Sequence, residues 1–196
     1  MTLLFRLSLA VSFAFVSTIS AADAPKGLEL KIVLKSDSFE YAGKGGLARL
    51  KTDLEAVGKK DGKLGFGAKN LPPVFPIALD LVITNTGKEA QTVYILGDPN
   101  VWEFTTTGPG VKVVRYNLAQ TLEFRLPQLT VIEAGKSFRI PVGQLEDGSR
   151  GRGRRTYLTA AGEYKLTATY KLANQEGDIM GTLQSEPVKL TVTEAK

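Results

Sequence analysis

The sequence predicts an all-β chain folded as an antiparallel sandwich, and three observations carry that reading. Polar and apolar residues alternate with period two through the C-terminal half. Turn chemistry recurs at intervals of about ten residues. Of the 196 residues, 43% are hydrophobic and 23% charged, enough apolar material for a core without the composition of a disordered chain.

The elements follow in order. Residues 1–22 read as a secretory leader: Arg6 gives the positive start, Leu7–Ile19 the short apolar stretch, and Ser20, Ala21 and Ala22 the small residues of a cleavage site. A membrane span needs about 20 apolar residues, so no integral span is expected. The chain contains no Cys to carry a lipid anchor. The expected location is therefore outside the cytoplasm, in the periplasm, at the cell surface or in the medium. Loss of Arg6 with the leader lowers the formal charge of +5 by one, a mild balance that favours solubility.

The rest, residues 23–196, reads as one sandwich domain. Leu28, Leu30, Ile32 and Leu34 form the apolar face of a first strand, and Ile77, Leu79, Leu81 and Ile83 that of a second. Shorter strands are expected at Thr92–Leu96, Val101–Thr105, Val111–Tyr116, Leu122–Leu126 and Phe138–Val142. Tyr164–Tyr170 and Val188–Val192 show the clearest alternation. Gly97-Asp98-Pro99, Gly108-Pro109-Gly110, Ala134-Gly135 and Gly148 supply the turns. The sum is roughly eight or nine strands, as a sandwich requires. Residues 36–75 break the rhythm and read as a Gly- and Lys-rich insertion between the first two core strands. Leu47, Leu50, Leu54 and Val57 there lie at helical spacing, which predicts one short amphipathic helix over Leu47–Val57, ended by Gly58.

Ala161-Gly162-Glu163-Tyr164-Lys165-Leu166 resembles the tyrosine corner of immunoglobulin-like domains, in which a Gly-x-Tyr opens a late strand and the Tyr hydroxyl bonds back to nearby backbone. Leu166 stands where antibody domains carry Cys, and Trp102 lies after the third core strand instead of within it. The stretch from Leu79 to Tyr170 resembles the BsuPI-type proteinase inhibitors and related bacterial immunoglobulin-like modules. The residues that carry this likeness are Ile83-Thr84-Asn85, Trp102-Glu103-Phe104, Glu133-Ala134-Gly135-Lys136 and Gly162-Glu163-Tyr164. The resemblance covers about half of the chain and implies an immunoglobulin-like sandwich. It makes inhibition of a protease through a loop the alternative functional expectation.

The chain has no Cys and no His, which removes thiolate chemistry and the usual general base near neutral pH. No metal site and no cofactor are expected. Gly135-Lys136-Ser137 imitates the end of a phosphate loop, but Thr130 stands where its first Gly is needed. The expectation is a non-catalytic binding or structural module. The most unusual segment is Gly148-Ser149-Arg150-Gly151-Arg152-Gly153-Arg154-Arg155. Arg150, Arg152, Arg154 and Arg155 could converge as forked donors on carboxylate, sulfate or phosphate, and Glu146, Asp147 and Glu163 are the nearby carboxylates that could instead neutralise them. Trp102, with Phe104 and Tyr94, is the second candidate, as an aromatic platform. The expected partners are an anionic envelope polymer or another exported protein, and not nucleic acid.

Overall fold

The computed structural model describes residues 26–59, 71–74, 76–119 and 122–195. The leader, and residues 60–70 and 75 of the 36–75 insertion, lie outside the described residues.

Thirteen strands and one helix follow one another in the chain. They are β1 (Leu28–Leu34), β2 (Ser38–Tyr41), α1 (Gly46–Lys59), β3 (Leu79–Asn85), β4 (Gln91–Ile95), β5 (Trp102–Thr107), β6 (Val111–Asn117) and β7 (Gln128–Ile132). After these come β8 (Ser137–Val142), β9 (Glu146–Ser149), β10 (Arg152–Leu158), β11 (Gly162–Ala173), β12 (Ile179–Gln184) and β13 (Val188–Glu194). They form an antiparallel sandwich with three sheets: β1-β3-β8, the small sheet β6-β10-β9, and a seven-stranded sheet built on β11.

Strand β11 is the spine. One of its edges pairs with β13 and then β12; the other pairs with β5 and then, at Ala173, with β4. Tyr164, Leu166, Ala168 and Tyr170 point inward from it and join Leu79, Leu81 and Ile83 of β3 in a single core. Burial of such a set is the main driving force of the fold. The opposite face of β3 is buried as well. Asp80 there meets Lys35 and Arg139 at 2.5 and 3.2 Å, and Val82 lies between Lys31 and Arg139 in the register. The Lys35 hydrogen bond, aided by Arg139 and opposed by burial, holds the Asp80 carboxyl below the usual range.

Several expectations are corrected. Leu122–Leu126 is not a strand: it is tethered to the turn after β4 by the Asp98 N–H donating to the Arg125 carbonyl at 2.9 Å, and Leu122, Phe124 and Leu126 are exposed. Its alternation is real, but no neighbouring strand is in reach to use it. The insertion holds a strand besides the expected helix: β2 within it pairs in parallel with β13. Helix α1 runs through Gly58 to Lys59, with Leu47, Leu50 and Leu54 in the common core. Its first turn contains no acid of its own. Glu194, from the end of β13, supplies one and accepts the Leu47 N–H at 2.9 Å. The strands β2, β7, β9, β10 and β12 lie outside those expected from the sequence.

The tyrosine corner forms. The Tyr164 hydroxyl donates towards the carbonyls of Ala160 and Pro109, each at 2.5 Å. Its ring occupies the space beside Gly108, where φ is 151° and a Cβ would strike the ring. One residue thus ties together the two connections, β5 to β6 and β10 to β11, that join the large sheet to the small one.

Two substitutions test these ties. Glu194→Ala should cost about 1 kcal/mol by loss of a helix N-terminal partner. Tyr164→Phe should cost about 1–3 kcal/mol because the Ala160 and Pro109 carbonyls lose a buried donor. Urea unfolding reads both as lower midpoints at unchanged slope.

Candidate functional site

The arginine-rich segment is a hairpin, not a loop. Arg150-Gly151 forms its two-residue turn, with Gly151 at φ 79°, and the strands register Arg154 opposite Asp147 and Arg155 opposite Glu146. Residues alternate across a strand, so Arg152 and Arg154 share one face of β10 and Arg155 takes the other. The four guanidinium groups therefore do not converge on a single point.

Arg154 and Arg155 are engaged by the carboxylates of the hairpin itself. Arg154 donates from Nε and a terminal nitrogen to the two oxygens of Asp147, at 2.7 and 2.8 Å, and the Asp147 side chain is only 2% exposed. The same pair closes the free edge of β5. Asp147 accepts the Phe104 N–H at 2.7 Å, and Arg154 donates to the Phe104 carbonyl at 3.0 Å. Carboxylate and guanidinium do here what a neighbouring strand would do. The Asp147 hydrogen bond is the chief reason the Arg154 pKa is raised further above its ordinary value.

Arg155 donates to Glu146 at 3.0 Å and lies over the Tyr116 ring, 5.3 Å from its centroid. Glu146 also accepts the Tyr116 hydroxyl and, at 2.5 Å, the Gln144 amide. The Tyr116 ring crosses Gly153, its directly opposed partner, and only a residue without Cβ leaves it room. Burial first, and then the Glu146 carboxylate, push the Tyr116 phenol up to about 12.

Arg150 and Trp102 are brought together. Both line a cavity of about 580 Å³ between the hairpin turn, the segment after β4 and the residues Leu118, Ala119, Glu123 and Arg125. Trp102 donates its indole N–H to the Glu146 carbonyl at 3.3 Å, which fixes the ring at the wall. Arg150 reaches Asp98 at 3.5 Å and stacks on Phe124, and Arg125 meets the same Asp98 carboxylate at 3.1 Å. Burial raises the Asp98 pKa, but hydrogen bonds from Arg125 and the charges of both arginines outweigh it, and the net shift is downward. Asn100 shapes the rim by accepting the Gly97 N–H and donating to the Tyr94 and Lys171 carbonyls. Next to it, Leu96 is the one non-glycine residue at positive φ among the described residues, at 64°. A leucine there is strained by about 1–2 kcal/mol, and such strain gathers at functional sites.

Of the other aromatic candidates, Phe104 is buried in the core, and Tyr94 lies in β4 away from the cavity wall. Arg152 is exposed on β10 with no carboxylate paired to it among the described residues; it does not line the cavity. Sequence reading did not assign Tyr116, Asp98, Arg125 and Asn100 to a site. A usable signal existed only for the ion pairs: once Arg150-Gly151 is taken as a two-residue turn, Glu146 and Asp147 fall opposite Arg155 and Arg154.

Among the described residues no group of three or more acidic side chains could hold a metal, and no helix is long and apolar enough to cross a membrane. No family model matches the chain, and neither does any curated protein.

Removal of one partner of the buried pair should be costly. Asp147→Ala leaves Arg154 and the Phe104 N–H without an acceptor, and a loss of about 3–5 kcal/mol is expected in urea unfolding. Alkaline pH should also destabilise the fold. Tyr116 and Tyr170 are both raised to about 12, Tyr170 by burial, against about 10 in an unfolded chain. Their contribution is whole below pH 10 and is lost as pH rises through 12, because the unfolded chain then releases protons first. Tyrosinate absorbance at pH 11 should therefore rise together with loss of near-ultraviolet circular dichroism, in one transition.

Proposed function

We propose that the protein is a non-catalytic, exported binding module that takes an acidic glycan of the cell envelope into the cavity at Trp102 and Arg150. The observation that supports this most is the meeting there of an aromatic ring and a guanidinium group from separate parts of the chain, in a space of about 580 Å³. A sugar ring offers an apolar face to an indole, and its carboxylate offers two oxygens to an arginine fork. On that wall Arg125 and Arg150 meet at the Asp98 carboxylate, and Glu123, Glu146 and Asp147 line the same space. The strained Leu96 backbone beside Gly97 and Asp98 fits a rim held in place for a ligand. This reading narrows the arginine-patch expectation to Arg150, the one of the four arginines that lines the cavity.

Titration of the mature chain with polygalacturonate, and with neutral dextran as control, tests the proposal. Binding to the acidic polymer should weaken steeply with salt. Trp102→Ala and Arg150→Ala should each weaken it tenfold or more, and Arg152→Ala about twofold or less. No binding to any extracted acidic envelope polymer, or binding untouched by both cavity variants, would overturn it. Stoichiometric loss of a protease's activity on titration, without polymer binding, would support the inhibitor role in its place.

A further inference from the structure

The cavity does not account for the run of exposed apolar side chains on and just before β7. Strand β7 ends the large sheet and, among the described residues, pairs only with β4, so its outer edge has no strand beside it there. Leu129 and Val131 on it are 61% and 51% exposed, and Leu122, Phe124 and Leu126 just before it are exposed too. Folded proteins protect such an edge with charge, proline within the strand, a bulge or a cover. Here Leu126–Ile132 contains no charged residue at all, and its only proline precedes the strand.

The charges at the two ends say what fits this edge. Antiparallel pairing of β7 with its own copy, with the two-fold axis at Leu129, places residues opposite each other whose numbers mirror about 129. Leu129 then meets Leu129 of the second copy, and Val131 meets Pro127. Arg125 meets Glu133, twice by symmetry, and no like charges face each other. The Arg125 side chain is 80% exposed even with its Nε on Asp98. Leu129 and Val131 of both copies share one face and form a continuous apolar strip across the joint. We infer that the protein forms a two-fold dimer through edge-to-edge pairing of β7, which extends the seven-stranded sheet into its copy. Two-fold pairing of one self-complementary patch is the commonest route to a homodimer.

The chain lacks cysteine, which makes a single introduced thiol a clean probe. In this register the two Leu129 Cα atoms lie about 4.5–5.5 Å apart, inside the disulfide range of about 4.4–6.8 Å. Leu129→Cys should therefore cross-link to a covalent dimer under mild oxidation, and Val113→Cys, exposed on β6, should not. Sedimentation equilibrium of the unmodified mature chain should show a monomer–dimer equilibrium that saturates at two. Leu129→Lys, which sets a charge against its own copy, should raise the dissociation constant at least tenfold with unchanged circular dichroism. Glu133→Arg, which opposes arginine to arginine, should do the same should the lysine variant misfold. A wild-type chain that remains monomeric at 100 µM, equal cross-linking of both cysteine variants, or a dimer indifferent to both charge variants would overturn the inference.

Discussion

The ion pair of Arg154 with Asp147 is the interaction on which the rest of the architecture turns. Strand β5 has β11 on one side and, among the described residues, no strand on the other, and a bare edge next to the core would leave the Phe104 N–H and carbonyl unsatisfied. The pair answers both groups with charge-assisted hydrogen bonds and so seals the sheet. It also fastens the β9–β10 hairpin to the large sheet, which sets the position of the cavity wall. Burying two charges costs several kcal/mol and is recovered only when every donor and acceptor is met. That condition holds here for the carboxylate, which takes three hydrogen bonds.

Tyr164 supplies the second fixed point. The chain passes from the large sheet to the small one after β5 and from the small sheet back to the large one before β11, and both crossings pass the same phenol. Thr159 adds to the tie by donating both its N–H and its hydroxyl to the Gly110 carbonyl, at 3.1 and 2.7 Å. With the crossings held at one end and the salt bridge at the middle, the small sheet cannot slide along β5. Asn85 plays a similar part at the far side. Its amide donates to the Glu89 and Ile132 carbonyls, and its backbone organises the turn into β8, which seats β7 at the edge of the sheet.

These constraints divide the arginines by task. Arg154 and Arg155 hold the hairpin; Arg150 faces the cavity beside Trp102; Arg152 stays in solvent. A segment that reads as a uniform cationic run is in fact a strand, and a strand gives each neighbour a different side. The physical consequence is that local positive charge is largely cancelled, and recognition depends on placement instead of on summed charge.

The sequence by itself determined the strand faces, the α1 register and the tyrosine corner. Each rests on local information: period-two alternation in Tyr164–Tyr170, helical spacing of Leu47, Leu50 and Leu54, and a Gly-x-Tyr step. Tertiary structure decided the remainder. Strand β9 is Glu146-Asp147-Gly148-Ser149, which has no apolar signal, because its burial comes from charge pairing with β10 and from Phe104, more than forty residues away in the chain. Leu122–Leu126 has the signal and no strand, because alternation reports which face is apolar and not whether a partner is within reach. Likewise the meeting of Trp102 with Arg150 follows from where β5 ends against the hairpin turn. Side-chain period is written residue by residue; which edges adjoin is settled only when distant segments compete for the same core.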